Sequence, residues 1–421
     1  MISERALRLQ LARQIAHWRA AVATINDPSN FAAAEAWAAV EGDLDLALRR
    51  RLQETVNRLR AEADGLASQL STAQSREQLL AVRKRLIAFR QRYSQTETIL
   101  DFYGDAINTR TNPKLRAILH ALDLIAGHSM DAALRPLGRP SPPVLTYIDK
   151  GMGASILRAG VRLWDGGTLS PAAAIKITRH NLYRPTSLIH EAGHQVENLL
   201  GWANEFAALL RHELASFAPV AVAEAWAATA TEIVADIFAF AHCGYAAVAA
   251  LHDVVAADEA TVLRYLPGDP HPIPYIRVLL NAAYCRWAFG VGPWDDLAEA
   301  WTETYPLTQA HPATGDFLQR SVDLLPRLAE LSLARPLRAF GGRSIVQLLD
   351  PARINPNALL AWARQLGPAL YISPHWANTE PIRLLALSGY RMATEPEKAK
   401  EIANEYEAWM LRVGGLPARA A

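Results

Sequence analysis

Apolar residues recur at helical spacing along most of the chain. Over residues 1–40 the pattern predicts one or two Ala-rich helices, interrupted at Asn26-Asp27-Pro28. From about Asp45 a longer pattern begins, in which Leu52, Leu59 and Leu66 repeat every seven residues, interleaved with Val56, Ala63 and Leu70. After a polar gap over 71–78 it resumes with Leu79, Leu86 and Tyr93, interleaved with Val82 and Phe89. Two heptad-patterned helices with a short polar connection predict an antiparallel helical hairpin. Further helix is expected to about Leu134. The run RPLGRPSPP over 135–143 cannot continue a helix, because four of its nine residues are proline.

Beyond that break the period changes. Val144–Ile148, 155–163 and 172–178 read as short strands, the last two joined through Asp165-Gly166-Gly167. They carry the only convincing strand pattern, and 155–163 is the candidate edge for an extended peptide. A helix with its N-cap at Thr186 or Ser187 and its stop at Gly201 follows. Its apolar stripe is Leu188, Ala192, Val196 and Leu199, with His190, Glu191, His194 and Glu197 on the other side. The run 218–241 reads as a helix apolar almost all round, and loops are expected at 266–274 and 290–293, with a weaker break at 335–343. The expected fold is therefore mainly α, formally α+β. It divides into a helical region with the hairpin at 1–138, a domain with the small sheet at 139–340, and a C-terminal helical extension at 341–421.

Composition narrows the class. The 421 residues suffice for two or three domains, and Lys+Arg 43 against Asp+Glu 42 gives no field to steer the chain to nucleic acid. The clusters Arg49-Arg50-Arg51 and Arg83-Lys84-Arg85 lack aromatic interleaving and read as solvated helix faces. Cys243 and Cys285 are too few for a disulfide framework and read as buried thiols. No apolar signal core opens the chain, and the low-charge run 218–241 carries Glu224, Glu232 and Asp236, which argues against a membrane span. A soluble, cytoplasmic protein is expected, without nucleic-acid or integral-membrane partners. The N-terminal helices could hold a protein partner.

The candidate chemistry lies in His190-Glu191-Ala192-Gly193-His194. Residues four apart on a helix lie one above the other, so the two imidazoles can hold one Zn²⁺ per chain, and Glu191 can act as general base toward a water there. A catalytic zinc takes three protein ligands. A His six residues after His194 is missing, because Leu200 stands there. The buried helix of 218–241 offers Glu232 as the third ligand, with Asp236 one turn on to receive the N–H of a ligand His. The competing expectation is that these carboxylates pair with a buried arginine. Glu224 is a weaker ligand candidate. His212, His242, His252 and His311 lack a partner at ligand spacing.

HEAGH followed by ExxxD at Glu232–Asp236 resembles the gluzincin zinc peptidases, in which two His and a downstream Glu bind zinc. His271-Pro272-Ile273-Pro274-Tyr275-Ile276-Arg277 is similar to the HPxxxxR signature of the HtpX and CAAX prenyl protease family, in the same order. The resemblance covers roughly residues 150–285. It implies a zincin-like catalytic domain and a metallopeptidase acting on a peptide or protein substrate, with His271 at the oxyanion and Tyr275 or Arg277 assisting or orienting. That family is usually membrane-embedded, so a prenylated or membrane substrate does not carry over. HEAGH also resembles the AAA-linked membrane proteases, but no GxxxxGK[ST] loop is present. The alternative expectation is a zinc-binding but catalytically inactive helical scaffold.

Overall fold

The computed structural model describes residues 3–41 and 47–415. It is mainly helical with one small sheet, and its contacts divide it into two compact units, 1–116 with 157–174, and 117–156 with 175–421. Among the described residues no helix is long and apolar enough to cross a membrane.

The first unit contains α1 (Glu4–Ile25), α2 (Ala34–Glu41), α3 (Ala47–Thr72) and α4 (Arg76–Asn108). The heptad positions do what their period requires. Leu52, Val56, Leu59, Ala63, Leu66 and Leu70 are buried on α3, and Leu79, Val82, Leu86, Phe89 and Tyr93 on α4. The polar gap is shorter than expected. Ser75 caps α4 in a reciprocal box with Gln78, which pulls most of 71–78 into helix. The same unit holds 157–174, where Asp165 accepts from the backbone N–H of Gly167 and Thr168 in a tight turn.

Helix α5 (Pro113–Leu134) leads through the proline-rich break into β1 (Val144–Ile148), β2 (Ser155–Leu157) and β3 (Ala173–Ile177), paired in the order β1-β3-β2. Buried Asp123 on α5 accepts from both the backbone N–H and the hydroxyl of Thr146 on β1. The edge strand β2 ends at Leu157 rather than running to 163. Gly160, at φ +77°, turns the chain out of extended conformation, and only an isolated bridge, Arg162 to Leu169, follows.

The second unit continues with α6 (Thr186–Leu200), α7 (Trp202–Leu214), α8 (Val220–Ala228), α9 (Ala230–Cys243) and α10 (Tyr245–Val255). After α11 (Glu259–Val262) come a loop and α12 (Pro274–Phe289), α13 (Pro293–Thr304) and α14 (Pro312–Ala334), with further helices to Val413. Two expectations are corrected here. Pro185 is the N-cap of α6, one residue before Thr186, and makes no side-chain cap bond. The run 218–241 is two helices, broken at Thr229, whose hydroxyl bonds the carbonyl of Trp226 and competes with helix continuation. Gly201 ends α6 at φ +68°, as expected.

One contact positions everything that follows. A Cβ at Gly193 would lie 3.0 Å from both Ala235 Cα and Phe238 Cβ of α9. Glycine at this position lets the two helix backbones approach closely enough for side chains of α9 to meet the histidines of α6.

Candidate metal centre

On α6, His190 and His194 stack one turn apart with ring centroids 4.9 Å apart and planes nearly perpendicular. Facing them on α9 is Glu232, whose Oε2 lies 3.4 Å from His190 Nε2 and whose Oε1 lies 3.3 Å from His194 Nε2. One ligand atom from each of the three lies within 4.8 Å of the others, so this buried group could hold a metal ion.

Asp236, one turn on from Glu232, meets His190. Its Oδ1 lies 2.9 Å from His190 Nδ1, which orients the ring and leaves Nε2 for the centre. Arg277, from α12, is the buried arginine of the competing expectation, and it coexists with the cluster. Its Nε reaches Asp236 Oδ2 at 2.7 Å, and its Nη2 reaches Asp236 Oδ1 at 2.8 Å and Glu232 Oε2 at 3.2 Å. Asn281, one turn further along α12, donates to Asp236 Oδ2 at 3.3 Å and to the Arg277 carbonyl at 3.0 Å.

His271 approaches from the loop before α12, with Nε2 3.3 Å from Glu232 Oε2. Asp269 holds it there, its Oδ1 accepting from the His271 backbone N–H at 2.9 Å and standing 2.7 Å from Nδ1. Three imidazoles and one guanidinium therefore converge on a single buried carboxylate.

The electrostatics follow from burial and partners. Burial opposes charge on His190, but Asp236 and Glu232 outweigh it and raise the imidazole above its ordinary value. Burial would likewise raise Glu232 and Asp236. The histidine bonds to Glu232, and Arg277 beside Asp236, instead hold both well below the usual carboxylate range. Glu191, buried beside the cluster, moves the other way. Burial raises it, only partly opposed by His190 and His194. Tyr147 on β1 is pushed up to about 12 by burial, with Asp149 and Glu191 adding to it.

The group opens into a cleft of about 170 Å³, where His190, Glu191, Glu232 and His271 face an apolar wall from α10 that includes Leu251, Val254 and Val255. Tyr275 is not among the residues lining it; the side chain is buried and its carbonyl accepts from Trp301 Nε1. Glu224 points elsewhere, paired with Arg211 at 2.8 Å. Cys243 and Cys285 are buried free thiols. Sequence reasoning missed Asp269 and Asn281, although Asp two residues before His271 is the spacing of an Asx turn. Compared with family models, curated proteins and solved structures, the chain matches none of them.

Proposed function

We propose that the protein is a zinc-dependent hydrolase of peptide bonds, with Zn²⁺ held by His190, His194 and Glu232. The observation that carries this reading is the convergence on Glu232. Arg277 already supplies one charge to the Glu232–Asp236 pair, so three further imidazole nitrogens at 3.3–3.4 Å exceed what ion pairing needs. Of these, His190 and His194 together with Glu232 bring one ligand atom each within 4.8 Å of the others, which leaves room for a common cation. When bound, zinc would polarise a peptide carbonyl as a Lewis acid and lower the pKa of a water toward ~7.

The chain's own residues complete the chemistry. Glu191 faces the cleft with its pKa raised by burial, so it can take the proton of the attacking water and return it to the leaving amine. His271, tethered by Asp269 beside Glu232, can donate to the oxygen on which charge develops. Asp236 and Arg277 do not touch substrate in this scheme. They fix the orientation of His190 and Glu232.

A second reading has its own observation. His271 Nε2 lies as near Glu232 as the two ligand histidines do. If it closed the fourth position, the site would be structural and the protein an inactive zinc-bearing scaffold. One experiment separates the two: zinc content of the purified protein, and peptide hydrolysis by wild type and Glu191→Gln. The hydrolase reading expects one zinc per chain in both proteins and turnover only in wild type. Less than about a tenth of an equivalent after zinc supplementation removes the metal site altogether.

A further inference from the structure

His271 faces two concavities. On one side is the cleft above Glu232. On the other is a second hollow of about 240 Å³ formed by α8, the loop before α12 and α14. Its walls are apolar or aromatic, from Trp226, Tyr265, Pro272, Ile273, Ile276 and Phe317. Three of its polar groups already have partners within the protein. Trp226 Nε1 donates to Ser321, the Thr229 hydroxyl bonds the Trp226 carbonyl, and Asp269 is engaged by His271. What it offers a ligand is mainly ring faces and aliphatic surface.

We propose that this hollow is a side-chain subsite of the cleft, taking an aromatic or large aliphatic side chain of a peptide within a residue or two of the bond cut. The proposal rests on the hydrolase reading and names its substrate class. The argument is continuity and size. The two Cα atoms that flank a peptide carbonyl are about 3.8 Å from each other, so both side chains beside a carbonyl that meets His271 start within reach of a hollow that shares that histidine. An apolar cavity of about 150 Å³ suffices for benzene, so this one accommodates a phenyl or indole ring. Burying such a ring out of water favours it over a methyl side chain by roughly tenfold or more.

The test is digestion of a defined peptide library by zinc-supplemented wild type and by Ala228→Trp. Ala228 is an exposed residue at the rim of the hollow, where a larger side chain fills space without disturbing the core. The expected result is roughly tenfold or greater enrichment of Phe, Tyr, Trp, Leu or Met over Ala at one fixed position beside the cut. In Ala228→Trp that ratio should fall toward one. Cleavage by wild type without such a preference, or a preference that survives Ala228→Trp, overturns the subsite and leaves the hydrolase standing. A zinc-loaded wild type that cuts nothing in the library overturns the hydrolase reading, and the subsite goes with it.

Discussion

His190 and His194 on one side, and His271 on the other, stand at nearly the same distance from the Glu232 carboxylate, yet they are held there by opposite means. The first two sit on α6, with only 17% and 15% of their side chains exposed, packed against α9 through the close approach at Gly193. Their partners Glu232, Asp236 and Arg277 are buried as well. His271 stands on a loop, 52% exposed, held by the Asp269 side chain two residues earlier. Helix packing fixes donor atoms with little freedom, which suits a bound ion. A loop side chain on a short tether costs little to leave half in solvent, and it can meet an oxygen that carries charge only during reaction.

The sharpest way to break this contrast is Glu232→Ala. It removes the carboxylate on which both regions converge, while Arg277 keeps its two bonds to Asp236 and the fold survives. Zinc content should fall below a tenth of an equivalent. If Glu232→Ala binds zinc like wild type, the ligand set is wrong and the convergence on Glu232 is an ion-pair network only.

His271→Ala comes next. If the loop histidine acts on developing charge, kcat on a peptide should fall by roughly 10²–10³ with zinc content and Tm nearly unchanged. Loss of zinc instead would move His271 to the ligand side of the comparison and favour the inactive scaffold.

The two regions were also unequally legible in the sequence. The α6 and α9 residues could be read because helical period places His190 and His194 on one face, and because Glu232 and Asp236 stand out in an apolar run. The same holds for α3 and α4, whose heptad positions are the ones that became buried. His271 has no periodicity to announce it and was found only through the likeness of its HPxxxxR stretch. Asp269 and Asn281 were missed because their bonds to individual neighbours leave no periodic pattern in the sequence. The break at Thr229 was invisible for a related reason: a run apolar on every side gives no phase from which to detect an interruption. Gly193 was read as part of a motif, although its reason is the backbone of α9.

Asp236→Asn probes the buried half with a smaller effect. Asparagine keeps the shape and one acceptor but removes the charge that His190 Nδ1 and Arg277 share. Because Asp236 holds a ligand histidine rather than the ion, the change should weaken zinc binding by ~10–100-fold, read by competition with a chelator, with the fold retained. An unchanged affinity would mean that the orientation of His190 is set by packing alone.

The smallest expected effect tests the tether on the exposed side. Asp269 Oδ1 accepts from the His271 backbone N–H and stands 2.7 Å from its Nδ1, so it constrains both the loop and the ring. Both of these bonds go to His271, outside the buried cluster, and the role of Asp269 is positioning. Because it is partly exposed, its loss leaves no buried charge behind, and zinc content and Tm should not change. Asp269→Ala frees the ring to sample other rotamers, which should lower kcat by less than about tenfold, well short of deleting His271. Asp269→Asn is the discriminating partner, since the amide oxygen can accept the same two bonds without the charge. If orientation is what matters, Asn should restore most of the activity lost in Ala. Equal losses in Ala and Asn would show that the carboxylate charge, not the tether, is what His271 requires, and no loss in either would mean the loop holds His271 in place by its prolines alone.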